Sequence, residues 1–120
     1  MATSLRREFS CGVEVALAIV GGKWKPVILA HLKEGPMRYG ELRRAIPRLS
    51  DKMLAQRLRE LEQSGLVTRR KNGGRGARSV YALTARVQAL RPALAALNSW
   101  GTKMSAEIGA TIAGPIRPSS

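Results

Sequence analysis

The sequence predicts a mainly α-helical fold carrying one small β-hairpin, on three observations. Apolar residues recur at helical spacing in several separate segments. Two β-favouring stretches, Leu66–Lys71 and Arg78–Thr84, flank a glycine-rich turn. The 120-residue length fits one domain with a single core. Residues 1–10 read as a flexible arm, 11–112 as the folded body and 113–120 as a flexible tail.

Cys11–Val20 reads as a short apolar helix stopped by Gly21-Gly22. A second helix is expected from about Lys23 to Lys33, with Trp24, Val27, Ile28 and Leu32 on one face and Gly35-Pro36 behind it. Pro26 fits its first turn, where an N–H would be unpaired anyway. His31 has no second histidine to join it, so it reads as a satisfied histidine beside an apolar face rather than a metal ligand. Met37-Arg38-Tyr39 has room for one bridging strand. Glu41–Ile46 makes a third helix with Leu42, Ala45 and Ile46 inward and Arg43 and Arg44 outward, stopped by Pro47.

The next helix organises the rest. Leu54, Leu58 and Leu61 fall in one stripe at the helical period, while Lys52, Gln56, Arg59 and Gln63 recur on the opposite side. Ser50 is placed to cap this helix, Asp51 suits the positive end of its dipole, and Gly65 stands where a left-handed residue ends it. Two helices joined by a tight turn, the second basic and polar outward, make a helix-turn-helix. Asn72–Ala77 then forms the tip of the hairpin, with Arg75 at its centre and basic residues on both sides. That pattern makes it a wing; the alternative is a disordered surface loop. After Thr84, read as an N-cap, a short helical piece reaches Leu90 and a longer helix runs from Pro92 towards Ile108. Leu90, Leu94, Leu97, Met104 and Ile108 repeat on it, joined by Trp100. With Val13 and Leu17 of the first helix they form the expected dimer surface, a purely internal helix being the alternative.

Twenty-one Lys and Arg against eight Asp and Glu leave a formal net charge of +13, which implies a polyanionic partner: DNA, RNA or an anionic membrane surface. No acidic residue lies between Glu62 and Glu107, where Arg69, Arg70, Lys71, Arg75, Arg78, Arg86, Arg91 and Lys103 all fall. No apolar run approaches the ~20 residues of a membrane span, and Met1–Ser10 lacks the pattern of a signal peptide. A single cysteine excludes an internal disulfide and fits a reducing cytoplasm. No glycine-rich phosphate loop, metal-ligand cluster or activated nucleophile is encoded, so neither an enzyme nor a cofactor or metal is expected. Duplex DNA is the favoured partner. Lys52, Gln56 and Arg59 are the candidates for base edges, with Arg43, Arg44 and Met53 beside them. Ser50, Arg57, Arg69, Arg75 and Arg78 are the candidates for phosphate or minor-groove contact. The rivals are a nucleoid-type protein without sequence preference and an RNA-associated basic protein. Phe9, Tyr39 and Tyr81 are too few and dispersed for a base-stacking platform.

The ordered motifs Cys11-Gly-Val-Glu14, Gly21-Gly-Lys-Trp24, Gly35-Pro36, Tyr39-Gly-Glu-Leu-Arg43, Ile46-Pro47, Ser50-Asp-Lys-Met-Leu54, Arg57-Leu-Arg-Glu-Leu61, Gly65-Leu-Val67 and Tyr81-Ala-Leu-Thr84 resemble those of HxlR-type transcriptional regulators. These are winged helix-turn-helix DNA-binding proteins related to the MarR group. The resemblance covers roughly Cys11 to Trp100 and implies a homodimer, joined by its terminal helices, on a pseudo-palindromic operator as repressor or activator. Three departures bear on detail: Cys11-Gly12 stands for the usual Cys-Pro, the wing is richer in glycine and arginine, and Thr84-Ala-Arg-Val87 replaces the usual Thr-x-x-Gly. Some members sense electrophiles or oxidants through a cysteine matched by Cys11. Just before a helix, with Arg6 and Arg7 nearby in sequence, it has a setting in which thiols gain reactivity. The bland reading is an inert small hydrophobe. A small-molecule effector is left open as a further partner, its identity not given by these residues.

Overall fold

The computed structural model describes residues 8–71 and 79–112. The expected arm up to residue 7, the wing tip with Arg75 and Arg78, and the expected tail lie outside them. In chain order the described residues form α1 (Gly12–Val20), α2 (Lys25–Leu32), β1 (Met37–Arg38), α3 (Tyr39–Ala45), α4 (Asp51–Gln63), β2 (Val67–Lys71), β3 (Ser79–Leu83), α5 (Ala85–Gln88) and α6 (Arg91–Ile108). The fold is mainly α with a small antiparallel sheet, as the sequence predicts.

The organising helix is α4, and its ends follow from its residues. The Ser50 hydroxyl oxygen accepts the Met53 N–H at 3.1 Å, which satisfies one of the helix's unpaired donors. At the other end Gly65 turns left-handed (φ 76°). That turn lets Leu66 N–H reach Leu61 O and Gly65 N–H reach Glu62 O, both at 3.0 Å, a Schellman closure. Between the ends Leu54, Leu58 and Leu61 are fully buried. They meet Ile28, Leu29 and Leu32 of α2, Leu42 of α3, Ile46 and Leu49 of the turn, and Tyr81 and Leu83 of β3 in one core.

The sheet order is β1-β3-β2, with both pairings antiparallel. Met37 lies opposite Tyr81 in β1–β3, and Val67 opposite Leu83 in β2–β3. β3 is therefore central, and β1 closes the start of the helix-turn-helix onto the strand that follows the wing.

Four local expectations are corrected. Trp24 does not lie in α2: it precedes that helix with left-handed backbone (φ 77°), after Gly22 at φ 102°, while its ring packs against the core. α3 begins at Tyr39 rather than Glu41, because the Glu41 carboxylate reaches back to accept the Arg38 N–H at 2.8 Å. Thr84 occupies the N-cap position of α5 without capping it. Its hydroxyl donates instead to Gly65 O at 2.8 Å, and its N–H to Leu66 O at 3.0 Å, tying the foot of the hairpin to the end of α4. Finally, α6 turns Leu94 inward to the core, 5% exposed, and packs Leu90 against it. No helix among the described residues is long and apolar enough to cross a membrane.

Candidate nucleic-acid interface

Burial of one α4 stripe dictates what the other side presents. Lys52, Gln56, Arg59 and Gln63 are all exposed, giving a row of donors of the kind that reach phosphates and base edges. The Ser50 oxygen is used in the cap, but its hydroxyl proton remains available to a phosphate. Alongside runs β2, an edge strand whose Thr68, Arg69, Arg70 and Lys71 are exposed. Arg59 and Gln63 of α4 and Arg69 of β2 line a common groove, in which the Arg69 guanidinium stands 3.4 Å from Glu62. Helix face and basic strand thus form one continuous surface. Arg44 of α3 is exposed and lines a second groove with Arg38.

The N-terminal end of α4 is fastened by residues that the sequence does not single out together. The Tyr39 hydroxyl lies 2.7 Å from Asp51 Oδ1 and 3.0 Å from the Asp51 carbonyl oxygen. Arg43 Nε donates to the same Oδ1 at 3.1 Å. Burial first, and the bond to the Asp51 carboxylate second, push the Tyr39 hydroxyl up to about 12. The Tyr39 hydrogen bond, aided by Arg43, holds the Asp51 carboxyl below its ordinary value. Near neutral pH the clasp therefore joins a neutral phenol, a carboxylate and a guanidinium. Asp51 is legible in the sequence as a dipole partner, but nothing local links it to Tyr39, twelve positions earlier.

Two of the residues expected to face DNA are placed otherwise. Met53 is half-buried and packs against the core. The Arg57 side chain is turned along the protein: Nε donates to Lys23 O at 3.2 Å, and Nη1 to both Glu60 oxygens at 3.1 Å. Arg43 is partly engaged by Asp51. Arg75 and Arg78 lie outside the described residues.

The residues expected at a dimer surface also divide. Val13, Leu17, Leu97, Trp100 and Ile108 are 62–71% exposed, and Met104 is half-buried. Leu90 and Leu94 are committed to the chain's own core. Ile19 and Ile112 add exposed apolar area that the helical repeat does not pick out. α1 is apolar along most of its length yet buries none of its residues. Cys11, exposed, takes the position just before it, its carbonyl accepting the N–H groups of Glu14 and Val15 at 3.1 and 3.3 Å.

A helix-turn-helix closed by a three-stranded sheet, its second helix baring lysine, glutamine and arginine beside a basic strand, is the architecture of winged helix-turn-helix transcriptional regulators. Across residues 19–108 the chain matches the HxlR-like helix-turn-helix family, and it belongs to that family. It is 45% identical over 95 residues to YkvN of Bacillus subtilis (strain 168), an uncharacterized HTH-type transcriptional regulator, a match spanning 79% of this chain and 80% of YkvN. Among solved structures, the redox regulator HypR in its oxidized form superposes with a TM-score of 0.72 at 35% identity, covering 78% of this chain and 96% of HypR. The reduced form of the transcriptional regulator YodB from B. subtilis superposes with a TM-score of 0.66 at 33% identity, over 79% and 94% of the two chains.

Proposed function

We propose that this regulator binds double-stranded DNA sequence-specifically, as a homodimer on a pseudo-palindromic operator. The observation that carries this reading is the exposed Lys52, Gln56, Arg59 and Gln63 row of α4, set beside the exposed arginines of β2. One such helix reads only a few base pairs. Two copies about a two-fold axis read half-sites about one helical turn, ~34 Å, apart. The apolar face of α1 and the exposed Leu97, Trp100 and Ile108 of α6 supply the surface for that axis. Lys52, Gln56 and Arg59 take base edges; Ser50, Arg44, Arg69, Arg75 and Arg78 take phosphates or the minor groove.

The test is selection of bound duplexes from the source genome, followed by competition. A regulator of this kind keeps its complex with the selected duplex in excess random DNA and in excess RNA. Loss of the complex to random DNA points to a nucleoid-type protein, and loss to RNA to an RNA-associated one.

Cys11 is proposed as the point of response to oxidants or electrophiles. Its support is its exposure at the start of α1 and the likeness to HypR, a redox regulator, and to YodB, whose structure is also known after diamide treatment. Diamide is expected to change operator affinity of the native protein and to leave Cys11→Ser unaffected. An equal response of both proteins removes Cys11 from the mechanism.

A further inference from the structure

In a chain of net charge +13, carboxylates on the DNA-facing helix oppose binding, and α4 carries Asp51, Glu60 and Glu62. Each is paired with a cation from another segment or from α4 itself. Glu60 has the densest set of partners. Both of its oxygens accept Arg57 Nη1 at 3.1 Å, Oε1 lies 3.6 Å from Lys25 Nζ, and Oε2 accepts Gln56 Nε2 at 3.5 Å. Arg57 in turn donates Nε to the carbonyl of Lys23. That carbonyl belongs to the peptide entering Trp24, which among the described residues is the one non-glycine with positive φ. Left-handed backbone is disfavoured for a bulky side chain and persists only where its surroundings hold it.

We propose that Arg57 is a positioning residue for DNA recognition: with Glu60 it latches α4 to the α1–α2 turn and sets the rotation of the recognition helix, and it makes no phosphate contact. This rests on the sequence-specific reading above. The apolar stripe fixes which side of α4 faces the core, and the Tyr39–Asp51–Arg43 clasp holds its N-terminal end, while Arg57 and Glu60 act on the middle of the helix. At an outer radius of roughly 5–6 Å, a turn of about 10° moves side-chain tips by about 1 Å. That displacement is enough to spoil a paired hydrogen bond to a base edge. Arg57 opposes it from the flank of the helix, with a bond to a backbone atom of another segment. The residue type matters, because the guanidinium donates in two directions at once, to Lys23 O and to Glu60. A lysine, with a single nitrogen on a flexible stem, cannot reproduce that fork.

Two variants separate this role from a phosphate contact. Arg57→Lys keeps the charge, so a phosphate contact survives it and a latch does not. Glu60→Gln keeps a side-chain oxygen to accept Gln56 Nε2 but removes a negative charge, so simple electrostatics tightens DNA binding, whereas loss of the latch weakens it. Both side chains are partly solvent-exposed, which leaves the core intact on substitution. The expected result is that each variant loses about tenfold in affinity for the selected duplex, with random-duplex affinity unchanged for Arg57→Lys. Without DNA, both are expected to speed amide exchange at Ile28, whose N–H is bonded to Trp24 O at 3.0 Å. Native binding by Arg57→Lys, tighter selective binding by Glu60→Gln, or unchanged Ile28 exchange in both overturns the proposal. A native protein that prefers no duplex removes the reading on which the proposal rests; the Ile28 exchange, measured without DNA, then separately decides whether the latch holds the turn.

Discussion

Leu94 and Leu97 sit one turn apart on α6, and their environments assign them opposite phenotypes. Leu97 is 63% exposed and Leu94 only 5%. Full burial of a leucine side chain is worth about 1.5–3 kcal/mol, so covering the exposed part of Leu97 is worth about 1–2 kcal/mol. A two-fold axis uses the residue twice, which makes about 2–4 kcal/mol per dimer. At 1.4 kcal/mol per decade, its loss weakens association by about 30- to 700-fold. Leu97→Glu loses at least this much, since two carboxylates must also leave water. Leu94→Ala instead opens a hole in the core and costs about 2–5 kcal/mol of protomer stability. Light scattering over a dilution series, with thermal melts on the same samples because assembly and stability are linked, separates the two. Leu97→Glu is expected to be folded, dissociated and deficient in operator binding; Leu94→Ala is expected to be thermally weakened. If Leu97→Glu stays dimeric and binds normally, the exposed face of α6 is not the dimer axis.

Gln56→Ala is expected to cost about 1–3 kcal/mol on the selected duplex and little on random DNA; an equal loss on both rules it out as a base reader. Neutralising Arg75 is expected to reduce the salt slope of log K by about one, and an unchanged slope places the tip off the DNA. The Tyr39–Asp51 clasp predicts a pH window. Asp51, held below its ordinary value, stabilises above about pH 4 and stops doing so as pH falls through its lower folded value. Tyr39, raised to about 12, stabilises fully below about pH 10 and loses that contribution as pH climbs from there through 12. In a Tyr81→Phe background, Asp51→Asn is expected to lower the Tyr39 midpoint, read by tyrosinate absorbance, only part of the way, since burial is the larger cause. An unmoved midpoint disproves the bond in solution.

What was legible in the sequence is what is local. The stripe of Leu54, Leu58 and Leu61, the Ser50 cap and the Gly65 stop each depend on spacing within one helix, and each stands in the structure as read. The exposed side of α4 follows from the same periodicity. Arg57 illustrates why the rest was hidden: periodicity puts it on the flank of α4, and only the fold brings Lys23 O, 34 positions away, to its Nε. Thr84 shows the same in miniature, with every credential of an N-cap and a better acceptor at Gly65. Leu94 and Leu97 share a helical repeat, and only the position of α2 decides which of them is core.

The order β1-β3-β2 has a consequence for how the protein is made. α3, the turn and α4 are synthesised before β3, yet β3 is the strand that pairs with β1 and supplies Tyr81 and Leu83 to the core beneath α4. Leu94 arrives later still. A nascent chain therefore emerges from the ribosome with the leucine stripe of α4 covered only by α2, α3 and the turn, and its core closes when a later segment comes back to it. Non-local closure of this kind slows folding and leaves apolar surface open in the interval. A message truncated before Leu83 encodes a complete helix-turn-helix in sequence but a chain missing part of the core beneath it.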